Sequence, residues 1–215
     1  MAEKVFKGKV KARVIELRFA TSGKLAGIFK ERGDIVKKGD LVGSLDKTLF
    51  QLELDRQLGD YEKKRSEFEI FNLQKKEITD DLTKYLKTGE QAELNISVKE
   101  VELAKTKLDQ INLFSPIDGI IIDDSDLVPG VYITPASSPI KILDNSSYSF
   151  EIEIEQNDLP MFLNPRPMTI KIPGLEKTYT GNSKLIIPSL NSKLLVEIEL
   201  QDNTGLILGL EGEAY

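Results

Sequence analysis

The chain has 215 residues, of which 40% are hydrophobic and 30% charged, with a net charge of −6 and no cysteine, histidine or tryptophan. These absences exclude disulfides, thiolate or imidazole metal sites, and catalytic triads that use histidine. The acidic balance lacks the basic footprint of nucleic-acid-binding proteins, and no apolar run of eighteen or more residues is present to span a membrane.

The helix breakers divide the chain into three parts. All nine prolines follow residue 115, and only Gly59 and Gly89 interrupt residues 47–114. A middle segment poor in both proline and glycine is typical of long helices. The chain therefore reads as β-rich, then helical, then β-rich.

Strand patterns dominate the first 46 residues. Apolar and polar residues alternate over residues 4–19, and the alternation changes parity between Val14 and Ile15, which indicates a bulge or a strand boundary. Residues 23–46 consist of very short apolar pieces separated by glycines. This pattern predicts a compact unit of short strands and turns.

Residues 47–112 carry two apolar stripes at heptad spacing, which predicts an antiparallel helical hairpin. The stripes are formed by Leu54, Tyr61 and Phe68, and by Leu94, Val101 and Leu108. The reversal could lie at Thr79-Asp80-Asp81, which offers an N-cap, or near Gly89, which offers a C-terminal glycine. We favour a turn near residues 79–81, because it makes the two arms nearly equal in length.

The β pattern that follows repeats the earlier one in degenerate form. Residues 113–144 can be aligned with residues 22–46 so that Gly39 matches Gly130 and Leu45-Asp46 matches Leu143-Asp144. Each copy is too small to bury a core alone, so we expect the two halves to pack together around the inserted hairpin. The alternation in residues 148–155 and the short strands beyond it predict a small antiparallel barrel.

These motifs together resemble a known family. The pattern S-G-x-L-x-x-I-x-x-x-x-G-D-x-V-x-x-G-D-L-x-x-x-L-D spans residues 22–46, S-P-I-D-G-x-I spans residues 115–121, and an E-x-x-D-L segment begins at Glu155. Their order around a heptad hairpin is similar to periplasmic adaptors, or membrane fusion proteins, of bacterial efflux and secretion pumps, the haemolysin-D-like group. The resemblance covers nearly the whole chain.

The resemblance implies a mainly β fold with an inserted α-helical coiled-coil hairpin, a split lipoyl-like β-sandwich and a small antiparallel β-barrel. We expect residues 1–19 to contribute strands to the barrel or membrane-proximal end. Residues 20–46 and 113–144 would form the halves of the lipoyl-like domain, residues 47–112 the hairpin, and residues 145–215 the barrel. In that family an N-terminal anchor precedes these segments and a membrane-proximal β domain follows them, so we expect the chain to be a piece trimmed at both ends.

The resemblance also implies a non-enzymatic adaptor without cofactor or metal, on the periplasmic or outer face of the membrane. Its expected partners are an inner-membrane transporter of permease or ABC ATPase type, an outer-membrane duct, and further copies of the same chain in a ring. The expected contact residues lie at the hairpin tip: Thr79, Asp80, Asp81, Leu82 and Tyr85. The Arg, Leu and Ser signature with which adaptors dock on multidrug-pump ducts has no match near this tip.

The main alternative is a biotinyl or lipoyl carrier domain of a multienzyme complex. Such carriers present a modified lysine on a β-hairpin, usually beside methionine, whereas Lys47 here follows Leu45-Asp46 without a methionine. We therefore interpret Lys47 as an ordinary solvated lysine. We likewise interpret Asp123-Asp124 as a turn, and Met161 and Met168 as core or edge residues of the barrel.

Overall fold

The computed structural model describes residues 4–74, 80–188 and 194–215. The chain forms a β-sandwich, a helical hairpin inserted into it, and a closed β-barrel. This architecture confirms the fold class expected from the sequence.

The sandwich consists of two four-stranded sheets. Its strands are β2 (Val14–Leu17), β3 (Gly23–Ile28), β4 (Ile35–Val36), β5 (Leu41–Leu45), β6 (Asn112–Phe114), β7 (Gly119–Asp123), β8 (Tyr132–Ile133) and β9 (Ile140–Asp144). One sheet has the order β2-β9-β7-β4 and the other β6-β5-β3-β8, so each sheet combines strands from before and after the hairpin. The core between them includes the fully buried Leu25, Val36, Val42, Ile121 and Ile142.

The two halves of the sandwich are joined by equivalent backbone hydrogen bonds. Ile121 donates to Asp34 O at 3.0 Å and accepts from Gly33 N at 2.8 Å. In the same way, Leu25 donates to Val131 O and accepts from Gly130 N, both at 2.8 Å. The repeat is therefore real, but the structural equivalent of Gly130 is Gly33 and not the expected Gly39. The reason is the loop between β7 and β8, residues 124–131, which is longer than its counterpart at residues 29–34.

The N-terminal segment is divided between the barrel and the sandwich, which corrects the expectation that residues 1–19 belong to the barrel. Strand β1 (Phe6–Lys11) lies in the barrel, whereas β2 pairs with β9 in the sandwich. Leu17 and Phe19 are buried in the sandwich core, and burying them there fixes the crossing before β2. The boundary lies at residues 12–13, just before the change of parity at Val14.

Six strands close the barrel in the order β1-β10-β13-β12-β11-β14. The remaining elements are β10 (Ser149–Ile154), a 3₁₀ turn (Gln156–Asp158), α3 (Leu159–Phe162), β11 (Pro167–Lys171), β12 (Thr178–Pro188), β13 (Leu194–Leu200) and β14 (Glu211–Ala214). Of the two methionines considered above, Met168 lies in the barrel core, whereas Met161 is 42% exposed on α3.

The barrel core is arranged around Phe150, whose ring occupies space left by two glycines. Gly8 on β1 pairs with Gly212 on β14. A Cβ on Gly8 would lie 2.7 Å from Phe150 Cε1 and 2.4 Å from Glu151 O, and one on Gly212 would lie 3.3 Å from Phe150 Cε2. Neither position has room for a side chain while Phe150 remains buried.

The hairpin consists of α1 (Thr48–Gln74) and α2 (Asp81–Asp109). Asp46 Oδ1 accepts a 2.8 Å hydrogen bond from Thr48 N at the start of α1, and this bond lowers the pKa of the Asp46 carboxyl. α1 ends at Gln74, α2 begins at Asp81, and Gly89 lies inside α2. At 1.5 Å per residue each arm is about 40 Å long. No helix among the described residues is long and apolar enough to cross a membrane.

We predict that Gly8→Ala destabilises the protein by about 1–3 kcal/mol, because the new methyl group overlaps the β10 backbone and the Phe150 ring. Gly59→Ala is the matched control: nothing lies within 4 Å of a Cβ at that helical position. It should stabilise α1 by about 0.5–1 kcal/mol. Thermal unfolding of both variants checks this. Equal unfolding midpoints for Gly8→Ala and wild type would contradict the close packing of Phe150 against Gly8.

Candidate partner-contact surface

The far end of the hairpin exposes the apolar residues expected there. Leu82 is 67% and Tyr85 78% exposed in the first two turns of α2. Asp80 is the N-cap residue, with extended backbone, and among the described residues its side chain makes no capping hydrogen bond. Asp81 lies in the first turn, where its charge is favourable. Thr79 lies outside the described residues.

Three further apolar residues join Leu82 and Tyr85 at this end. Ile70 and Leu73 on α1 are 53% and 76% exposed, and Leu86 on α2 is 49% exposed. We call these five residues the hairpin-end cluster. The three additional members were not predicted from the sequence, because the heptad stripes mark only the face through which each helix packs on the other.

The cluster is the end of two longer lines of residues that face away from the partner helix. The α1 outer line, at alternating steps of three and four, is Leu49, Leu52, Arg56, Gly59, Lys63, Ser66, Ile70 and Leu73. The α2 outer line is Leu82, Tyr85, Gly89, Ala92, Ile96, Lys99, Leu103 and Thr106. All sixteen residues are exposed, and most are apolar or small. A repeated step of three and four residues is the pattern of a helix–helix packing seam.

The inner seam between α1 and α2 is apolar at its base and polar towards the tip. At the base, Phe50 and Leu108 pack on the sandwich core and Ala104 is buried. Beyond the midpoint, Lys64 Nζ reaches across the seam to Glu93 Oε2 at 2.5 Å and also contacts Glu67. The hydrogen bonds to Glu93 and Glu67 raise the pKa of Lys64. The inner seam therefore changes from apolar to polar near Lys64.

The two helices leave a groove of about 1000 Å³ between them in the half near the tip. Its lining includes Tyr61, Phe68 and Phe71 from α1, and Thr83, Lys87 and Leu94 from α2. Apart from Leu94, the α2 side chains of this lining are polar, and they face aromatic side chains on α1. Phe68 and Phe71 stay only partly buried beside the groove, so their dispersion contacts with α2 are incomplete.

Asp123 and Asp124 have structural partners, as the turn interpretation expects. Asp123 bonds to Lys141 Nζ and to Ser125 N, both at 2.9 Å, and the Lys141 bond is the main cause of its lowered pKa. Asp124 accepts from Arg32 N at 3.2 Å, which joins the two halves of the sandwich. Within the described part of the chain, no three acidic side chains are grouped so that they could hold a metal ion.

Lys47 lies at the junction of β5 and α1, and its carbonyl oxygen accepts a 2.8 Å hydrogen bond from Gln51 N. Lys47 therefore lies at the N-terminal end of α1. The modified lysine of a carrier domain would instead stand on a β-hairpin.

The fold has clear relatives among solved structures. The chain is similar to a MacA–MexA chimeric protein that contains the Pseudomonas aeruginosa MexA α-hairpin domain, with a TM-score of 0.84, 19% identity, and coverage of 98% of this chain and 79% of that one. The membrane fusion protein Spr0693 from Streptococcus pneumoniae R6 gives a TM-score of 0.83 and 17% identity, over 97% of this chain and 99% of that one. MacA from Actinobacillus actinomycetemcomitans gives 0.62 and 18%, over 98% and 76%.

No protein-family model and no curated protein sequence matches the chain. At these identities the likeness establishes the fold, which is that of membrane fusion and periplasmic adaptor proteins. The resemblance drawn from the sequence motifs is confirmed at that level.

Near the base of α1, the Glu53 carboxylate accepts hydrogen bonds from two neighbouring side chains. Arg56 donates hydrogen bonds to both carboxylate oxygens of Glu53 at 2.9 and 3.1 Å, and Gln57 adds one at 2.9 Å. These bonds lower the pKa of Glu53 to about 2. Because the folded-state pKa is depressed, the stabilising contribution is present above the ordinary pKa of 4.5 and is lost as the pH falls from there to about 2.

A ¹³C NMR titration of the Glu53 carboxyl should therefore show a midpoint near pH 2. Arg56→Gln should raise that midpoint towards the ordinary glutamate value. Arg65→Gln, which removes the equivalent pair with Glu69 further along α1, should leave it unchanged. A wild-type midpoint near 4.5 would contradict the described geometry.

Proposed function

We propose that the protein is the adaptor subunit of a multicomponent transmembrane efflux or export system, linking an inner-membrane transporter to an exit duct or sealing the outer face of that transporter. The observation that carries this proposal is the interrupted sandwich, in which a hairpin of about 40 Å is inserted between two half-motifs beside a six-stranded barrel. Structures described as membrane fusion or periplasmic adaptor proteins share this arrangement over 97–98% of the chain.

The proposed role is mechanical rather than catalytic. The sandwich holds the two hairpin ends side by side, so the hairpin projects from it with the end of α1 and the start of α2 farthest away. The hairpin-end cluster offers apolar side chains there for a protein partner. We place the protein on the extracytoplasmic side of the membrane, where an adaptor meets both of its partners.

We further propose that copies of the chain associate side by side through their hairpins, in a ring. When two hairpins stand parallel, α1 of one lies antiparallel to α2 of the next, so the α1 outer line meets the α2 outer line. The contact between Lys64 and Glu93 shows which residues share a height within a hairpin. By helix rise, Gly59 lies within about 3 Å of the heights of Ile96 and Lys99, and Ile70 within about 3 Å of those of Tyr85 and Gly89.

Each outer line has small residues among large ones, with Gly59 and Ser66 on α1 and Gly89 and Ala92 on α2. We propose that Ile96 of one copy packs over Gly59 of the next, and Ile70 over Gly89. Ser66 and Ala92 also share a height, so the backbones can approach there. Exposed apolar surface on each line would leave water on association, at roughly 25 cal/mol per Å². The mixture of small and large residues on both lines supports a second copy as the occupant of the outer lines.

We predict that photo-crosslinking from the hairpin end captures another protein of the assembly. A benzophenone amino acid placed at Tyr85 or Leu82 in the native host should give crosslinks, because both positions are exposed in the hairpin-end cluster. The same probe at Lys105, an exposed position nearer the sandwich, should not give the same product. A membrane transporter should co-purify with the chain.

Recovery of the chain alone from native membranes, without a transporter and without crosslinks, would contradict the adaptor role. A mass increment located on Lys47 would support the carrier-domain alternative instead.

We predict that Gly59→Leu weakens self-association by at least about tenfold, equivalent to roughly 1.4 kcal/mol, because it fills the space that Ile96 of the next copy needs. The variant cannot fail by unfolding the helix, since leucine is the better helix former. Adding Ile96→Ala should restore much of the lost affinity. Glu62→Leu, on an exposed position beside the line, should leave association within twofold. Sedimentation velocity measures all four proteins, and equal association of Gly59→Leu and wild type would contradict the seam.

A further inference from the structure

We propose that the tip half of α2, residues 81–96, is a conditional element. It opens readily in the isolated chain and is held closed when the α1 outer line of a second copy covers the α2 outer line. The second part of this inference rests on the proposed side-by-side association, whereas the first part concerns the single chain.

In the tip half of α2, most of the large apolar side chains lie on the exposed face, and most of the side chains that face α1 are polar. Its large apolar residues Leu82, Tyr85, Leu86 and Ile96 are 49–78% exposed. The residues of this segment that line the groove towards α1 are Thr83, Lys84, Lys87, Gln91 and Leu94, of which only Leu94 is apolar. Burial of apolar surface holds most helices in place. This segment buries little of it against α1.

The groove between the helices lies beside the same segment. Of the residues that α2 buries, Ser97 and Ala104, both lie beyond the tip half. The tip half instead borders the open space lined by Phe68 and Phe71. The base half is fixed through Leu108 and the sandwich core, and the Lys64–Glu93 contact marks the boundary. Local stability should therefore fall along α2 from its C-terminal end to its N-terminal end.

The tip half of α2 also begins with residues that favour a helix only weakly. Thr83, Thr88 and Gly89 are weak helix formers, and Asp80 makes no capping hydrogen bond among the described residues. The tip half of α1 differs, because Tyr61, Phe68 and Phe71 are directed inward. The inference therefore applies to α2 and not to the hairpin as a whole.

A second copy fits as the stabilising partner because its α1 outer line presents apolar and small residues along the same length of the hairpin as the α2 outer line. Covering Leu82, Tyr85 and Ile96 would give the tip half the apolar burial that α1 of its own chain does not provide. Association would then be coupled to the ordering of this segment, and the ring contact would form only as the hairpin end becomes helical.

Hydrogen exchange followed by mass spectrometry tests the first part on the whole chain at a concentration where it is monomeric. Amides of residues 81–92 should exchange at least about tenfold faster than those of residues 97–106. Lys87→Leu should slow exchange in residues 81–92, because leucine fills the groove against Phe68 and Phe71. Lys105→Leu, the same change at an exposed base position, should leave that exchange unchanged. Equal protection of both segments in wild type, or no effect of Lys87→Leu, would overturn the inference.

Repeating the measurement at concentrations that drive association tests the second part. Protection should rise more in residues 81–92 than in residues 97–106, and Gly59→Leu should abolish the rise. Association without added protection in residues 81–92 would overturn the coupling while leaving the proposed ring intact. Failure to associate at any concentration would overturn both the ring and the coupling, and the exchange gradient of the monomer would still decide the first part.

Discussion

The whole architecture depends on pairing between strands that the chain separates by more than sixty residues. Neither half of the sandwich has a complete sheet: β3 needs β8, and β7 needs β4. The pairing of β5 with β6 brings positions 47 and 110 to the same edge, and the intervening chain must leave and return there. An antiparallel hairpin follows directly from that constraint. Loop closure over such a distance has an entropic cost, but that cost grows only slowly with length, and the shared sandwich core offsets it.

The hairpin presents more apolar surface than its two helices can bury against each other. Within residues 48–74 none is buried, although the segment includes several leucines, three phenylalanines and an isoleucine. The exposed apolar residues are not scattered over the helices. Many of them lie on the outer lines, whose steps of three and four residues match a helix packing seam. Near the tip the inner seam becomes mostly polar, while large apolar residues remain exposed on the outer lines. The free chain is thus least stable at the end where the proposed partners meet it, and an adaptor that must engage several partners would gain its final rigidity from them.

Much of this arrangement could be predicted from residue patterns. Heptad spacing of Leu54, Tyr61 and Phe68 was enough for the hairpin, and the repeated glycine–aspartate motifs were enough for the split sandwich. Other features depend on tertiary context. The alternation of apolar and polar residues could not show that the chain passes from the barrel to the sandwich at residues 12–13, because strands of both units alternate in the same way. The match of Gly130 with Gly33 depended on loop length. The outer lines were visible in the sequence as a second seam, but only the structure showed that no described part of the chain covers them.

Pairing of the outer lines between copies is the central claim, and the cysteine-free sequence allows a direct measurement. In a Gly59→Cys/Ile96→Cys variant the two thiols face away from each other within one chain and share a height, so mild oxidation should link copies into a ladder of covalent oligomers. A Leu52→Cys/Leu82→Cys variant, with its thiols near opposite ends of the hairpin, should not form that ladder. Monomer alone from the first variant, or equal ladders from both, would contradict the account.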